Sequence, residues 1–234
     1  MMLTVGGLNS FYGQAHVLHD VGFAVGPGEV AVLLGRNGAG KSTTMKSLIG
    51  LLRPASGSVR FGDREIARME PFRRAQLGLG YVPEERRIFA ELTVMENLDV
   101  GRQPPRDGQR PWTPARLFDL FPNLGAMRHR PGGRMSGGEQ QMLAVARTLM
   151  GNPRLLLLDE PSEGLSPLVV EQMAAAIQAL RQEDLGVLLA EQNLHFASDV
   201  ATQAVILESG RVAWTGAMAA LQADAATHGR YLAV

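Results

Sequence analysis

The sequence predicts an α/β fold, a parallel-sheet core carrying one inserted α-helical lobe. Three observations carry that expectation. Short apolar runs, Val30–Leu34 and Leu155–Leu158, end abruptly at glycines or acids, as buried parallel strands do. Helix-spaced segments follow both runs. Between them, about residues 85 to 150, the chain turns rich in helix formers joined by Pro- and Gly-containing connections. Strand-then-helix units on both sides of a helical stretch are the pattern of a parallel sheet with an insertion.

Taken in order, two β-type runs come first, Val17–Val25 and Val30–Leu34, separated by the turn signal Gly26-Pro27-Gly28. The second enters the glycine-rich stretch Gly35–Gly40, and a helix-prone segment then runs to Leu51. Arg53-Pro54 with Ser56-Gly57 breaks it, and Ser58–Phe61 reads as a strand. Gln103–Pro114 holds four prolines and is the best loop candidate. After Asn152-Pro153 the Leu155–Leu158 strand ends in Asp159 and Glu160. Ser166-Pro167 starts a helix, serine as N-cap and proline at the first helical position. Val169, Met173, Ile177 and Leu180 then share one face. Val187–Ala190 and Ala204–Leu207 read as strands, and Ser209-Gly210 turns the chain into Arg211–Trp214.

Composition bounds the function. With 234 residues, 45% hydrophobic and 20% charged, residues 1–234 can form one domain with a sizeable core and no staple. No cysteine is present, which removes thiol catalysis and cysteine-ligated zinc. Lys+Arg and Asp+Glu are both 23, so the basic excess of a general nucleic-acid binder is missing. No apolar run approaches the roughly 18 residues of a membrane span, and the N-terminus lacks a secretory core. A cytosolic chain, held at a membrane only through a partner, is the expectation. Of the 23 basic residues only Lys41 and Lys46 are lysines, so a guanidinium was no substitute there.

Gly35-Arg36-Asn37-Gly38-Ala39-Gly40-Lys41-Ser42 fits G-x-x-x-x-G-K-[ST] between a strand and a helix. Chance gives roughly 0.002 such matches at this composition. Glycines allow the tight wrap that turns successive backbone N–H groups onto phosphate oxygens, and the helix aims its positive end at the same anion. Gly35, Asn37, Gly38, Ala39, Gly40, Lys41, Ser42 and Thr43 are the expected phosphate-binding set. Lys41 can reach the β- and γ-phosphates and has no evident structural duty; the Ser42 hydroxyl can ligate Mg²⁺. Asp159 and Glu160 lie at a strand's carboxyl end, where open α/β sheets bind ligands. Asp159 can hold the metal through water, and Glu160 can orient or deprotonate the attacking water.

Ser136-Gly137-Gly138-Glu139-Gln140-Gln141 opens a helix expected to run through Met150, with Ser136 and Glu139 as a capping box. The same residues resemble the signature of ATP-binding cassette proteins, the nucleotide-binding subunits of ABC transporters. The resemblance implies a P-loop NTPase core, an N-terminal antiparallel β subdomain and a helical, signature-bearing subdomain over residues 86–150. It implies two ATP molecules buried between two cassettes arranged head to tail. Each site would join one chain's phosphate loop to Ser136, Gly137 and Gly138 of the other. Tyr12, 23 residues before Gly35, matches the aromatic loop that stacks on adenine. Ser162–Ser166 stands in the place of the D-loop, and Tyr81–Phe89 in that of the Q-loop. There Glu84 replaces the usual glutamine, and it joins Ser42 and Asp159 as an implied metal and nucleotide contact. Gln192 occupies the switch position, where a histidine is usual. These departures are similar to the second ATPase of branched-chain amino acid importers, with urea and amide importers close behind.

By that resemblance the chain hydrolyses ATP with Mg²⁺ at the cytoplasmic face of the inner membrane, peripheral to it. Its partners are a second cassette (a copy or a relative), two permease subunits docked around Tyr81–Asn97, and indirectly a solute-binding protein. Nucleic acid is not among them. Arg86 and Arg87 read as solvated surface residues. The alternative is a regulatory subunit that binds ATP and hydrolyses it weakly, because the Gln192 amide cannot exchange a proton as imidazole does. A Gln192 switch further implies a shallow pH dependence between pH 6 and 8.

Overall fold

The computed structural model describes residues 1–106, 108–224 and 227. A six-stranded sheet forms the centre. It comprises β3 (Val30–Leu34), β6 (Leu79–Val82), β7 (Leu155–Asp159), β8 (Gly186–Glu191), β9 (Gln203–Glu208) and β10 (Arg211–Ala217), in the order β10-β9-β3-β8-β7-β6. All its pairs are parallel except β9 with β10. A second, antiparallel sheet of order β2-β1-β4-β5 comprises β1 (Leu3–Tyr12), β2 (Ala15–Val25), β4 (Ser56–Phe61) and β5 (Arg64–Glu65).

The helices are α1 (Lys41–Ile49), α2 (Pro71–Leu77), α3 (Val94–Gly101), α4 (Pro114–Leu120), α5 (Pro122–Ala126), α6 (Gly137–Leu149), α7 (Pro167–Gln182), α8 (Leu194–Val200) and α9 (Met218–Ala223). Both faces of the central sheet are covered, which explains the uninterrupted leucines of β7. Leu155 and Leu157 pack with Leu3, Met45 and Leu48 on the side of the antiparallel sheet and α1. Leu156 and Leu158 point the other way, to Leu143, Ile177 and Phe196. Leu98, Leu117, Phe121 and Leu124 of the helical segment join that second cluster, so its apolar surface is continuous with the core.

Strand β1 is not evident in the sequence. Its alternation Leu3, Val5, Leu8 slips at Gly6-Gly7, where the β1–β2 register also shifts. The helix α1 stops at Ile49 rather than Leu51, because Gly50 turns left-handed at φ 89° and closes it. Arg74 then caps the end: buried, it donates to the Ser47 and Leu48 carbonyls at 2.7 Å each. Burial pushes its guanidinium down to about 10. β4 begins at Ser56, two residues early, and β2 at Ala15. Gln103–Pro114 is irregular over its described residues up to Thr113, with Arg106 donating to the carbonyls of Ala75 at 2.9 Å and Gly151 at 3.0 Å.

Candidate functional site

The loop after β3 closes tightly because two positions have no room for a Cβ. At Gly35 (φ 156°) one would lie 2.5 Å from the Leu207 carbonyl oxygen. At Gly40 (φ 107°) it would lie 2.8 Å from Leu18. Gly40 is the N-cap of α1 and offers no side chain to the first turn, so those N–H groups stay free for an anion. Lys41 is 3% exposed, and its Nζ donates to the Gly35 carbonyl at 2.8 Å and the Arg36 carbonyl at 3.3 Å. It also pairs with Glu160 Oε1 at 3.1 Å. Lys41 therefore does have a structural duty, contrary to the sequence reading: it ties the loop to the end of β7.

Asp159 ends β7 beside that loop. Ser42 Oγ donates to its Oδ1 at 2.9 Å and the Tyr81 hydroxyl to its Oδ2 at 3.1 Å. Burial pushes the Asp159 carboxyl up, and these two hydrogen bonds pull it back. Burial and then Asp159 push the Tyr81 phenol far up, which keeps it a donor. Ser42 Oγ and Asp159 are neighbouring hard oxygens, the donor chemistry that suits Mg²⁺. Among the described residues no group of three or more His, Cys, Asp or Glu could hold a metal.

Glu160 takes a left-handed backbone, φ 48°, and its N–H donates to the Ala190 carbonyl at 2.9 Å. The turn continues to Glu163, whose carboxyl is raised first by a hydrogen bond with Glu160. Gln192 is exposed just beyond β8. Next to it, burial pushes the Glu191 carboxyl up to about 7.

A cavity of about 330 Å³ is walled by Val17, Asn37, Gly38, Gly40, Lys41, Ser42, Thr43, Glu84, Glu160 and Glu163. Asn37, Gly38, Gly40, Lys41, Ser42, Thr43, Glu84 and Glu160, half of the site residues singled out in the sequence, thus meet there, while Asp159 and Gln192 lie outside the wall. Gly35 and Ala39 shape the loop from outside that wall. Tyr12 lies at the end of β1, 47% exposed, and the apolar wall is supplied by Val17 instead. Ser136 is exposed and caps α6: its Oγ accepts the Glu139 N–H at 3.3 Å, and Glu139 accepts its N–H at 2.7 Å. The glycines after it have a packing reason. A Cβ on Gly137 would lie 2.8 Å from the Arg86 guanidinium, and one on Gly138 2.8 Å from Val169. Arg86 is half-buried against the start of α6 rather than freely solvated. Sequence reasoning gave no role to Val17, Glu163, Tyr81 or Glu191: Tyr81 and Glu191 act through Asp159 and Ser162, 78 and 29 positions away, and Val17 and Glu163 reach the cavity only through the fold.

A family model described as "ABC transporter" matches residues 18–163, more than half the chain. The chain belongs to that family. The cassette is 40% identical over 231 residues to the high-affinity branched-chain amino acid transport ATP-binding protein BraG of Pseudomonas aeruginosa, covering 99% of both chains. It is 38% identical to a probable branched-chain amino acid transport ATP-binding protein LivF of Archaeoglobus fulgidus, covering 92% of each. It is also 37% identical to the lipopolysaccharide export ATP-binding protein LptB of Haemophilus influenzae, covering 92% and 90%. A solved ATP-binding subunit of an ABC transporter superposes with TM-score 0.82 at 30% identity, covering 99% and 96%. The cassette is an ATP-binding transporter subunit and an ATPase. Its P-loop core and antiparallel sheet are those the sequence predicted.

Proposed function

We propose that the cassette energises import of branched-chain amino acids. The observation carrying this is the 40% identity to BraG along the whole length of both chains. The reading also rests on Gln192 and Glu84, the two departures that resemble the second ATPase of such importers. Lipopolysaccharide export is the second reading, favoured by the LptB relatives. Uptake of labelled leucine in cells lacking the chain, and in cells given it back, decides between them. Lost and restored uptake is expected; normal uptake with defective outer-membrane lipopolysaccharide would overturn the import reading.

Within the site, Lys41 and the N–H groups of the loop and α1 bind the ATP phosphates. Ser42 and its hydrogen-bond partner Asp159, with Glu84 in the same cavity wall as Ser42, would hold Mg²⁺, which neutralises phosphate charge when bound. An incoming phosphate competes with Glu160 for Lys41. Released from that pair, Glu160 orients water and accepts its proton. Gln192 can donate one amide hydrogen bond to phosphate or water. Tyr12 provides a ring face for adenine, beside Val17. Exposed Ser136 and half-buried Gly137 and Gly138 at the start of α6 bind the nucleotide held by a second cassette, whose matching residues bind the nucleotide of this one.

No helix among the described residues is long and apolar enough to cross a membrane. A groove of about 900 Å³ offers a route to membrane subunits instead. Leu51 (56% exposed), Phe72 (59%), Phe89 (46%) and Val100 (53%) line it together. Clustered exposed apolar side chains mark an interaction surface. We assign it to cytoplasmic segments of two permease subunits, which places the cassette peripherally on the cytoplasmic face of the inner membrane. A solute-binding protein outside selects the cargo.

A further inference from the structure

Between the strand end bearing Glu160 and the one bearing Gln192 lies a carboxylate the mechanism above leaves unused. Glu191, the last residue of β8, is 2% exposed. Its Oε1 accepts the Ser162 N–H at 3.0 Å. Its Oε2 accepts the N–H groups of Gln192 at 3.2 Å and Asn193 at 3.3 Å. One residue earlier, the Ala190 carbonyl accepts the Glu160 N–H at 2.9 Å. The turn after β7 is thus laced to the end of β8 at Glu160 and again at Ser162. Ser162 sits between Glu160 and Glu163, both in the cavity wall. A non-glycine residue in the left-handed region, as Glu160 is, is strained and persists only when its surroundings hold it.

We infer that Glu191 is a positioning residue for ATP hydrolysis, its carboxylate fixing the Glu160–Glu163 turn and Gln192 in one arrangement at the cavity. It touches no substrate and acts through the segments on either side. A glutamine would not replace it. An amide has one acceptor oxygen, and its NH₂ would meet backbone donors. Burial drives the carboxyl up to about 7, the neighbouring Glu160 charge adds to the rise, and the hydrogen bonds from Ser162 and Asn193 oppose it. The ionised acceptor therefore forms as pH rises through 7. The inference rests on the reading of Glu160 as the base.

ATP affinity, KM and kcat per bound ATP, measured from pH 6 to 8.5 on wild type, Glu191→Gln, Glu191→Asp and Glu160→Gln, test it. Glu191→Gln is expected to keep ATP affinity within about threefold and lower kcat about tenfold or more. It should also lose the wild-type rise of kcat across pH 7. Glu191→Asp, which keeps a carboxylate, should recover part of the rate and keep a pH-dependent limb. A kcat within about twofold of wild type with an unchanged pH profile in Glu191→Gln overturns the inference. If that variant fails to bind ATP, Glu191→Asp decides by the same readings: a reduced kcat with a displaced limb supports it, and wild-type values overturn it. Normal turnover in Glu160→Gln would instead sink the base reading, whatever Glu191 does.

Discussion

At Lys41 one ammonium is shared by two loop carbonyls and the Glu160 carboxylate. Glu160→Gln removes the charged competitor, so ATP should bind about 3- to 10-fold more tightly, readable by nucleotide titration, even as turnover falls. Lys41→Ala should abolish ATP binding. It should also cost about 1–3 kcal/mol in unfolding experiments, because Glu160, 10% exposed, loses its partner. The ammonium–phosphate role proposed for Lys41 is read from the motif alone. The Lys41–Glu160 pair is not, since 119 positions separate the two residues and only the β3–β8–β7 neighbourhood brings them together. Glu191 was hidden in a similar way, because its partner Ser162 lies 29 positions away. Gln192 alone implies a shallow pH dependence, and Glu191 beside it, pushed up to about 7, adds a titratable group in that range. Gln192→His should then add a second titration near the imidazole value of about 6.5, not create the first one. Because the folded chain holds the Glu191 proton more tightly than the unfolded one, its stabilising contribution is full below the unfolded value of 4.5. It is lost as pH rises through about 7. Thermal unfolding from pH 4.5 to 8 should show that decline in wild type and a flatter one in Glu191→Gln.

Helix α6 shows which elements a sequence reveals well. Its capping box is local, three residues from Ser136 to Glu139, and both reciprocal hydrogen bonds form. Ser136→Ala should cost about 1 kcal/mol of stability, measured by denaturant unfolding, with no nucleotide present. If Ser136 also meets a partner's nucleotide, the same change should weaken ATP-dependent association of two cassettes. β7 was equally plain, since a strand buried on both faces reads as an unbroken apolar run. β1 was obscure because Gly6-Gly7 interrupts its alternation while β2 and β4 on either side hold it in place. The role of Gly137 and Gly138 as space for Arg86 and Val169 was equally hidden, because it depends on elements packed against α6.

Across the molecule, a hydrogen-bonded chain from Tyr81 through Asp159 to Ser42 links the apolar groove to the phosphate-loop cavity. The Tyr81 hydroxyl bonds Asp159, while the residue also lines the groove. Phe72→Glu with Val100→Glu places charge on exposed groove positions outside the cavity. Purified double variant should bind ATP within about twofold of wild type, and co-purification with membrane subunits should be lost. The proposed function turns on hydrolysis of ATP at the phosphate loop with Glu160 as base. Its most direct test is steady-state turnover of saturating Mg-ATP by purified wild type and Glu160→Gln, with bound nucleotide counted in both. We predict that Glu160→Gln holds ATP while turning it over about 100-fold more slowly or less. Equal turnover by the two proteins, or no ATP bound by either, would contradict it.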